Sequence, residues 1–458
     1  MSKIRFPIAF CISKFTVILL KVFGYRGSDF PGMIAIKICP DFLEYIKKPD
    51  LIIGVTGTNG ETTVTNLIAD SLSILGENIV SNKFGSNLHT GAATVLLKNS
   101  KIFGGVKSNI AVIEIDERSF RITGRYITPN YIIITNLTRD SIMRHAHPDF
   151  ISQILTKYIP ADSKLIINAD NLSAVITSPK NERIYFGIKP MSTDKKISNS
   201  IIHDVNICPI CQEELVWDYC RYSDIGSVRC PKCGFHTPEY NYFADHVDLE
   251  KKTISFYDNS SIILDNVKLI NDTLFNIYNQ LAVMTLLSEL GYSGKEITKC
   301  INNLDILHSR LKFDVFHGDM QIKTMLSKGM NGYANSRIFE YINSQERPTQ
   351  IVLMINSEEV ETVWSENICW IYDADFELLN FDFLDKVIMF CPRKYDYKNR
   401  LLFAGVPEDK ILLLDDYRDA PQHIRYIKDS SVFILHDIYN EDKADFIRKS
   451  ILSGRIGS

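Results

Sequence analysis

The stretch GVTGTNGETTVTN at residues 54–66 is rich in glycine and threonine and joins a short apolar run to a helix-like sequence. In phosphate-binding loops of this kind, backbone N–H groups cradle phosphate oxygens, a lysine contacts the terminal phosphates, and the following Ser or Thr binds Mg²⁺. Thr62 occupies the metal-binding position, whereas Glu61 stands where the lysine is expected. The sequence therefore predicts a phosphate loop that carries a carboxylate in place of its usual ammonium group.

Four cysteines form a second pattern with chemical meaning, spaced C-x2-C, eighteen residues, C-x2-C. They are Cys208, Cys211, Cys230 and Cys233. Two such turns close a tetrahedral four-thiolate site, which suits structural Zn²⁺. Because a closed thiolate shell leaves no position for substrate, we expect this metal to stabilise the fold rather than to take part in a reaction. The alternative is a set of buried or redox-active thiols.

Composition and charge indicate an ordinary globular protein. The chain has 458 residues, 45% of them hydrophobic and 23% charged, and its length suits roughly two to four domains. The net charge of −4 gives no support for a global nucleic-acid-binding surface, so no nucleic-acid partner is expected. The six cysteines outside the two pairs are scattered, which indicates a reducing, cytoplasmic compartment rather than a disulfide framework.

The N-terminal stretch FPIAFCISKFTVILLKVFGY is apolar but is interrupted by Lys14 and Lys21. A membrane-spanning helix needs about 20 mostly apolar residues, and no small-residue cleavage site follows, so neither a spanning helix nor a secretory signal is expected. We predict an amphipathic helix that packs on the body of the protein. The alternative is peripheral contact with the inner face of the membrane.

Short apolar runs alternate with helical stretches from residue 51 onwards. NIAVIEID and NYIIITNL are near-continuous apolar runs with polar ends, as in buried parallel strands whose chemistry lies at their carboxyl ends. A helical pattern ends at Gly291, a predicted cap, and a second α/β series begins after about residue 306. We predict three parts: an N-terminal helix and lead-in (1–49), an ATPase-like α/β domain (50–305) with the cysteine module inserted at 201–245, and a Rossmann-like α/β domain (306–458).

Ordered motifs along nearly the whole chain resemble those of the Mur ligases. GVTGTNGETT is similar to the GTNGKTT or GTNGKTS loop of that family, and AVIEIDERSF and ITNLTRDSIMRH resemble two further family motifs. Four further stretches occur in the order expected for the family: INADN, YFGI, FNIYNQLA and WIYDADFE. The four-cysteine insertion is similar to that of one branch, the ligase-like subunits of lipid II isoglutaminyl synthase. The resemblance implies a Mur ligase-like central ATPase domain with a zinc ribbon and a C-terminal α/β domain.

The resemblance also implies an activity. Proteins of this branch use ATP and Mg²⁺ to activate the α-carboxylate of D-glutamate in the lipid II stem peptide as an acyl phosphate. A GatD-like glutaminase, bound as a heterodimer, supplies ammonia from glutamine, and the product is D-isoglutamine. This chain is accordingly expected to be an ATP-dependent carbon–nitrogen ligase of peptidoglycan synthesis with lipid II as substrate.

Residues of the nucleotide site follow from the same resemblance. Those implied to bind the nucleotide are Gly57, Thr58, Asn59, Gly60, Glu61, Thr62, Thr63, Asn276, Asn279 and Arg310. Glu114 matches the Mg²⁺-binding glutamate and would share the ion with Thr62. Asn276 and Asn279 match asparagines around the adenine, and Arg310 matches an arginine that reaches the phosphates. Without the resemblance, Glu114 reads as a solvated strand-end carboxylate and the asparagines as ordinary helix-start residues.

WIYDADFE offers Asp373 and Asp375 in the C-terminal domain. The resemblance implies that one aspartate of this domain orients the catalytic histidine of the glutaminase, a role in which a carboxylate holds an imidazole in one tautomer. The sequence does not decide between the two positions. The alternative is an ordinary surface acid.

Several positions depart from the family pattern. Besides Glu61, Met143 replaces a motif aspartate and Lys312 replaces a glutamate after Arg310. This drift favours, as the alternative function, a non-catalytic or regulatory paralogue that binds the partner but has lost efficient ATP chemistry. A Mur-like ligase for another substrate is a third possibility, against which the cysteine module argues.

Overall fold

The structure, a computed structural model, describes residues 2–25, 27–83, 86–102, 104–140, 147–198, 200–271, 273–304, 315–327, 331–355, 368–437 and 439–457. The chain divides into two compact units. The first comprises Met1–Thr138, His147–Ser198 and Asp204–Asp305, and the second comprises Arg139–Ala146, Asn199–His203 and Ile306–Ser458. Arg310 and Met143, singled out by the sequence, lie outside the described residues.

The first unit alternates helices with strands. Its described helices are α1 (Ser2–Val22), α2 (Phe30–Ile38), α3 (Phe42–Tyr45), α4 (Glu61–Ile74), α5 (His89–Asn99), α6 (Phe120–Thr123), α7 (Pro148–Tyr158), α8 (Leu172–Val175), α9 (Leu274–Glu289) and α10 (Gly294–Asn303). Its described strands are β1 (Leu51–Thr56), β2 (Ile79–Ser81), β3 (Ile110–Glu114), β4 (Tyr131–Ile134), β5 (Lys164–Asn168), β6 (Arg183–Ile188), β7 (Val216–Tyr222), β8 (Ile225–Arg229), β9 (Tyr242–Asp248), β10 (Thr253–Asp258) and β11 (Ile262–Lys268).

The described strands of this unit form a large sheet in the order β11-β10-β9-β6-β5-β4-β1-β3-β2. Pairing is parallel from β9 through β2, whereas β9, β10 and β11 pair antiparallel at the other edge. The isoleucine-rich strands β4 and β5 are buried almost throughout, as expected for parallel strands covered on both faces. Because β1 lies between β3 and β4, the strand order reverses there, and such a switch point is where open α/β sheets bind ligands.

Helix α9 shows how local sequence signals agree with packing. Almost all of its residues from Asn276 to Leu287 are buried in the described structure. It ends in Gly291 at φ 87°, and the N–H of Tyr292 donates to the carbonyl of Leu287 at 3.1 Å. This left-handed glycine confirms the cap predicted from the sequence.

The second unit contains β12 (Val315–His317), β13 (Met320–Leu326), α11 (Gly332–Asn343), β14 (Thr349–Met354), β15 (Leu384–Met389), α12 (Lys394–Phe403), β16 (Ile411–Leu413), β17 (Ser431–His436) and α13 (Glu441–Leu452). Its described strands follow the order β12-β13-β17-β14-β15-β16, parallel except for β12. Phe339, Trp370, Phe376 and Tyr397 pack on one side of this sheet. This arrangement confirms the predicted Rossmann-like α/β fold.

Candidate nucleotide and metal sites

The predicted phosphate loop leaves β1 at Thr56 and enters α4 at Glu61. Gly57 and Gly60 have φ angles of 143° and 90°, a region that side chains rarely adopt. A Cβ atom on Gly57 would lie 2.1 Å from the Thr135 hydroxyl oxygen, and one on Gly60 would lie 2.4 Å from Oδ1 of Asn279. Both glycines are therefore required by the backbone turn and by their neighbours.

The segment directly after β4 braces this loop. The N–H of Thr58 donates to the carbonyl of Asn136 at 2.9 Å. The Thr135 hydroxyl and the Asn136 side-chain amide both donate to the carbonyl of Asn59, at 2.9 and 2.7 Å. Sequence reasoning quoted this segment as part of a motif but gave its residues no role. The signal available was their position, immediately after a buried strand that pairs with β1.

The first turn of α4 is the anion-binding end of the site. Gly60 precedes the helix, and its carbonyl accepts the first helical bond from the N–H of Val64 at 2.8 Å. The first N–H groups of a helix lack intrahelical partners and carry partial positive charge, so they attract phosphate. Glu61, Thr62 and Thr63 are partly exposed in this turn. The carboxylate of Glu61 therefore shares the helix end at which a phosphate would bind.

Glu114 closes β3 and pairs in register with Val55 on β1. Its carboxylate accepts a bond from the side-chain amide of Asn87 at 3.1 Å, and its backbone exchanges two bonds with the side chain of Asn82. Only 9% of the residue is exposed. The carboxylate of Glu114 is thus largely buried and fixed by a hydrogen bond, next to the strand that leads into the phosphate loop. It is not a solvated strand-end carboxylate.

Asp116 has a local structural role. Its carboxylate accepts the backbone N–H groups of Arg118 and Ser119 at 3.0 and 3.3 Å and so caps a short 3₁₀ turn. Of Glu114 and Asp116, Glu114 is therefore the better candidate for a metal ligand.

The two candidate adenine-site asparagines lie buried at the start of α9. The side chain of Asn276 donates to the Thr273 hydroxyl at 2.8 Å, and that of Asn279 donates to Asn276 at 3.1 Å. Since Asn279 also lies against Gly60, the start of α9 and the phosphate loop form one surface within the first unit.

Lys83, 22 residues after Glu61, is one lysine whose ammonium group could take the place of the missing one. Its ammonium group forms an ion pair with Asp70 on α4. Asp70 is nine residues beyond Glu61, about 13 Å along the helix at 1.5 Å per residue.

The four cysteine thiols lie together, with all sulfur atoms within 4.8 Å of one another. The Sγ atoms of Cys208 and Cys233 are 3.5 Å apart, and those of Cys211 and Cys230 are 3.4 Å apart. Tetrahedral coordination with bonds of about 2.3 Å sets sulfurs about 3.8 Å apart, so the cluster has the dimensions of a four-thiolate metal site.

Two equivalent turns present these thiols. Gln212 and Gly234, each directly after the second cysteine of a pair, are left-handed at φ 61° and 76°. Their N–H groups donate back to the carbonyls of Cys208 and Cys230. The antiparallel hairpin of β7 and β8 connects the two turns. The backbone thus repeats one metal-binding turn twice, as the spacing predicts.

A buried ion pair ties this hairpin to the parallel sheet. Nη1 of Arg221 on β7 donates to Oδ2 of Asp170 at 2.6 Å, and both side chains are fully inaccessible to solvent. The hydroxyl groups of Tyr240 and Tyr278 also donate to Asp170, each at 2.6 Å. Burial, followed by the charge of Asp170, raises the pKa of Tyr240 far above its ordinary value. Sequence reasoning missed this cluster.

The cluster is linked to the phosphate loop through the neighbouring residue. Asn171 accepts the N–H of Leu137 at 2.8 Å and donates to the Leu137 carbonyl at 3.2 Å. Thr138, the next residue, donates its N–H to the hydroxyl of Thr58. Hydrogen bonds and the peptide links between adjacent residues therefore connect the cysteine hairpin to the phosphate loop.

The second unit separates the two candidate aspartates by burial. Asp375 is 1% exposed, and its carboxylate accepts bonds from the N–H of Ile201 at 2.7 Å and the hydroxyl of Ser200 at 3.2 Å. Asp373 has a third of its side chain exposed and pairs with Arg139 at 3.4 Å. Asp375 therefore holds the unit together, whereas Asp373 is accessible from outside.

Comparison with known families gives two matches along the chain. Residues 55–207 match the Mur ligase middle domain, and residues 329–439 match the MurT ligase C-terminal domain. The chain is 28% identical over 406 residues to "Lipid II isoglutaminyl synthase (glutamine-hydrolyzing) subunit MurT" of Staphylococcus aureus (strain COL). This alignment covers 88% of this chain and 89% of that protein. The protein of the same description from Streptococcus pneumoniae is 28% identical and covers 84% of each chain.

Solved structures agree on the fold. A pseudomurein peptide ligase type C from Methanothermus fervidus matches with a TM-score of 0.64 at 19% identity, covering 90% of this chain and 81% of that one. MurF from Acinetobacter baumannii matches with a TM-score of 0.60 at 15% identity, covering 91% and 80%. These likenesses confirm the predicted Mur ligase-like α/β architecture. The two domain matches and the length-wide similarity to the curated subunits identify this chain as MurT-like, with a Mur ligase middle domain followed by a MurT-type C-terminal domain.

Proposed function

We propose that this chain is the ligase subunit of lipid II isoglutaminyl synthase. In this role it amidates the D-glutamate α-carboxylate of the lipid II stem peptide with ammonia from a GatD-like glutaminase. The observation that carries the proposal is the combination, on one chain, of the phosphate loop, the four-thiolate module and the MurT-type C-terminal domain. The reported relatives are named as synthase subunits, so the non-catalytic alternative gains no support from them. The scattered spacing of the six cysteines outside the two C-x2-C pairs suits a reducing, cytoplasmic location.

The residues of the first unit support an acyl-phosphate route. The carboxylate oxygen of the substrate attacks the γ-phosphorus of ATP and releases ADP, and ammonia then displaces phosphate from the acyl carbon. The backbone of 57–60 and the first turn of α4 would hold the phosphates, and Asn279 would lie near the base. Thr62 and Glu114 would bind Mg²⁺, which neutralises phosphate charge when present.

The test of this function is reconstitution of the purified chain with its glutaminase. With ATP, Mg²⁺, glutamine and a lipid-linked stem peptide, we expect conversion of one carboxyl group to a carboxamide, followed by mass spectrometry. Ammonium salt should replace glutamine in the absence of the partner. No amide with either nitrogen source, from a chain shown to bind ATP, would contradict the assignment.

Asp373 is proposed as the aspartate that serves the partner's catalytic histidine, because it is the accessible one of the pair. Asp373→Asn should lower glutamine-driven amidation by at least about a hundredfold, since a wrong imidazole tautomer is costly, and leave ammonia-driven amidation unchanged. Asp375→Ala should instead lower the stability of the second unit by about 1–3 kcal/mol through its lost buried hydrogen bonds. Equal loss of both nitrogen sources in Asp373→Asn would argue for a structural role.

The four thiols are proposed to hold one structural Zn²⁺ per chain. Because three thiolates leave a tetrahedral zinc site one ligand short, Cys211→Ser should abolish bound zinc and lower the melting temperature. Elemental analysis and thermal unfolding measure the two effects. Cys369→Ser, at an exposed cysteine of the second unit, is the matched control and should change neither. A wild-type chain that purifies without metal but with oxidisable thiols would support the redox alternative.

A further inference from the structure

Helix α1 carries a continuous apolar stripe on its exposed face. The residues of this stripe, each 43–76% exposed, are Ile4, Ile8, Ile12, Phe15, Ile18, Leu19 and Val22. Their spacing of three and four residues places them along one side of the helix. Folded monomers rarely expose a contiguous apolar surface of this length unless it binds something.

The opposite face of α1 fixes the helix on the first unit. Ala9 and Ser13 are fully buried, and the ring of Phe6 lies 5.2 Å from that of Phe42 on α3. The ammonium group of Lys14 donates to the carbonyls of Leu97 and Ser100 at the end of α5, where a helix terminus favours a cation. The orientation of the stripe is thus set by packing.

The charge of α1 identifies the surface that the stripe fits. Its charged residues are Lys3, Arg5, Lys14 and Lys21, with no Asp or Glu, although the whole chain has a net charge of −4. At 100° per residue, Lys3 and Lys21 lie beside one border of the stripe and Arg5 beside the other. These three side chains are exposed. An apolar stripe bordered by cations is typical of helices that lie in the plane of an anionic bilayer surface.

Further exposed apolar residues lie just beyond α1 in the chain and on the helix packed against it. Phe23 and Tyr25, just beyond α1, are 67% and 69% exposed, and aromatic rings of this kind favour the headgroup level. Phe30 and Met33 on α2, which packs against α1, are 50% and 45% exposed. The described helices include none that is long and apolar enough to cross a membrane.

We infer that α1 docks this chain on an anionic phospholipid bilayer. The stripe lies among the upper acyl chains, and Lys3, Arg5 and Lys21 contact the phosphate headgroups. The inference goes beyond the proposed function, since its evidence lies in α1 and the residues next to it and its test needs no catalysis.

The test is flotation of the full-length chain with vesicles of phosphatidylglycerol and phosphatidylcholine in equal amounts, against vesicles of phosphatidylcholine alone. We expect binding to the anionic vesicles that weakens with added salt, because the headgroup contacts are screened. Ile8→Ser combined with Phe15→Ser should weaken binding at least tenfold, since two large apolar side chains of the stripe are then lost from the acyl-chain layer. Phe403→Ser, at a 76% exposed phenylalanine of α12, should leave it unchanged.

A second readout does not depend on loss of binding. Phe15→Trp should show a blue-shifted emission maximum on addition of the anionic vesicles, as the indole enters an apolar layer. Absence of flotation, or an equal effect of Phe403→Ser, would overturn the proposal. A self-associating chain that the Ile8/Phe15 double variant converts to monomers, without vesicle binding, would show that the stripe contacts protein instead.

Discussion

Replacing Glu61 by lysine is expected to tighten ATP·Mg²⁺ binding more than tenfold. Two unit charges 4 Å apart interact by about 4 kcal/mol at an effective dielectric near 20, so exchanging repulsion for attraction is worth roughly 8 kcal/mol before screening. A quarter of that value exceeds the 1.4 kcal/mol that corresponds to a tenfold change in affinity. The structure adds a second reason, because Glu61 lies in the first turn of α4 and its carboxylate competes with phosphate for the positive helix end.

Calorimetry with the glutaminase partner present measures this effect. Glu61→Gln should fall between wild type and Glu61→Lys, because it removes repulsion without adding attraction. Glu250→Lys is the control for net charge: it lies exposed in the turn between β9 and β10, and β9 is four strands, about 19 Å, from β1. Unchanged ATP affinity in Glu61→Lys would show that another cation already compensates for the carboxylate.

Arg221→Met is expected to destabilise the first unit by about 3–5 kcal/mol, because it leaves the carboxylate of Asp170 buried without its cation. The neighbouring Arg229→Met is the matched control. Arg229 pairs with Asp218 on the same hairpin, but both side chains are about half exposed, and such pairs contribute about 1 kcal/mol or less. Urea unfolding of the metal-loaded proteins measures the difference.

The companion change Asp170→Asn sharpens this prediction. In the background of Arg221→Met, it removes the charge of Asp170 and leaves that of Asp194, the other carboxylate paired with Arg221, so it should recover part of the lost stability. The hydrogen bonds from Asn171 to Leu137 adjoin this cluster, so ATP affinity should also fall in Arg221→Met and recover with the double variant. Equal unfolding free energies for Arg221→Met and Arg229→Met would mean that the buried pair contributes nothing specific.

Features encoded within a few residues were predictable from the sequence. The two cysteine turns, the glycines of the phosphate loop and the cap at Gly291 are such features, because each depends on a local backbone conformation. The parallel strands were predictable for a similar reason, since burial on both faces leaves near-continuous apolar runs.

Features that depend on distant pairing were not predictable. Arg221 and Asp170 are 51 residues apart, and neither position carries a local signal of burial. The choice between Asp373 and Asp375 also required the fold, because only packing shows which carboxylate is enclosed. Glu114 combines both situations. Its position at the end of a strand could be predicted from the sequence, but its hydrogen bond with Asn87 could not.

The position of the cysteine hairpin in the sheet has a consequence for how the protein matures. Strands β6 and β9 are parallel neighbours, and a parallel pair needs a long crossover connection, usually a helix. Here residues 189–241, with the thiolate turns, form that connection. The edge strands β9, β10 and β11 reach their places in the sheet through this crossover, so we expect their pairing to depend on its structure. A cell short of zinc should accordingly lose this ligase during synthesis, as chains that never complete their sheet, rather than accumulate a folded but inactive subunit.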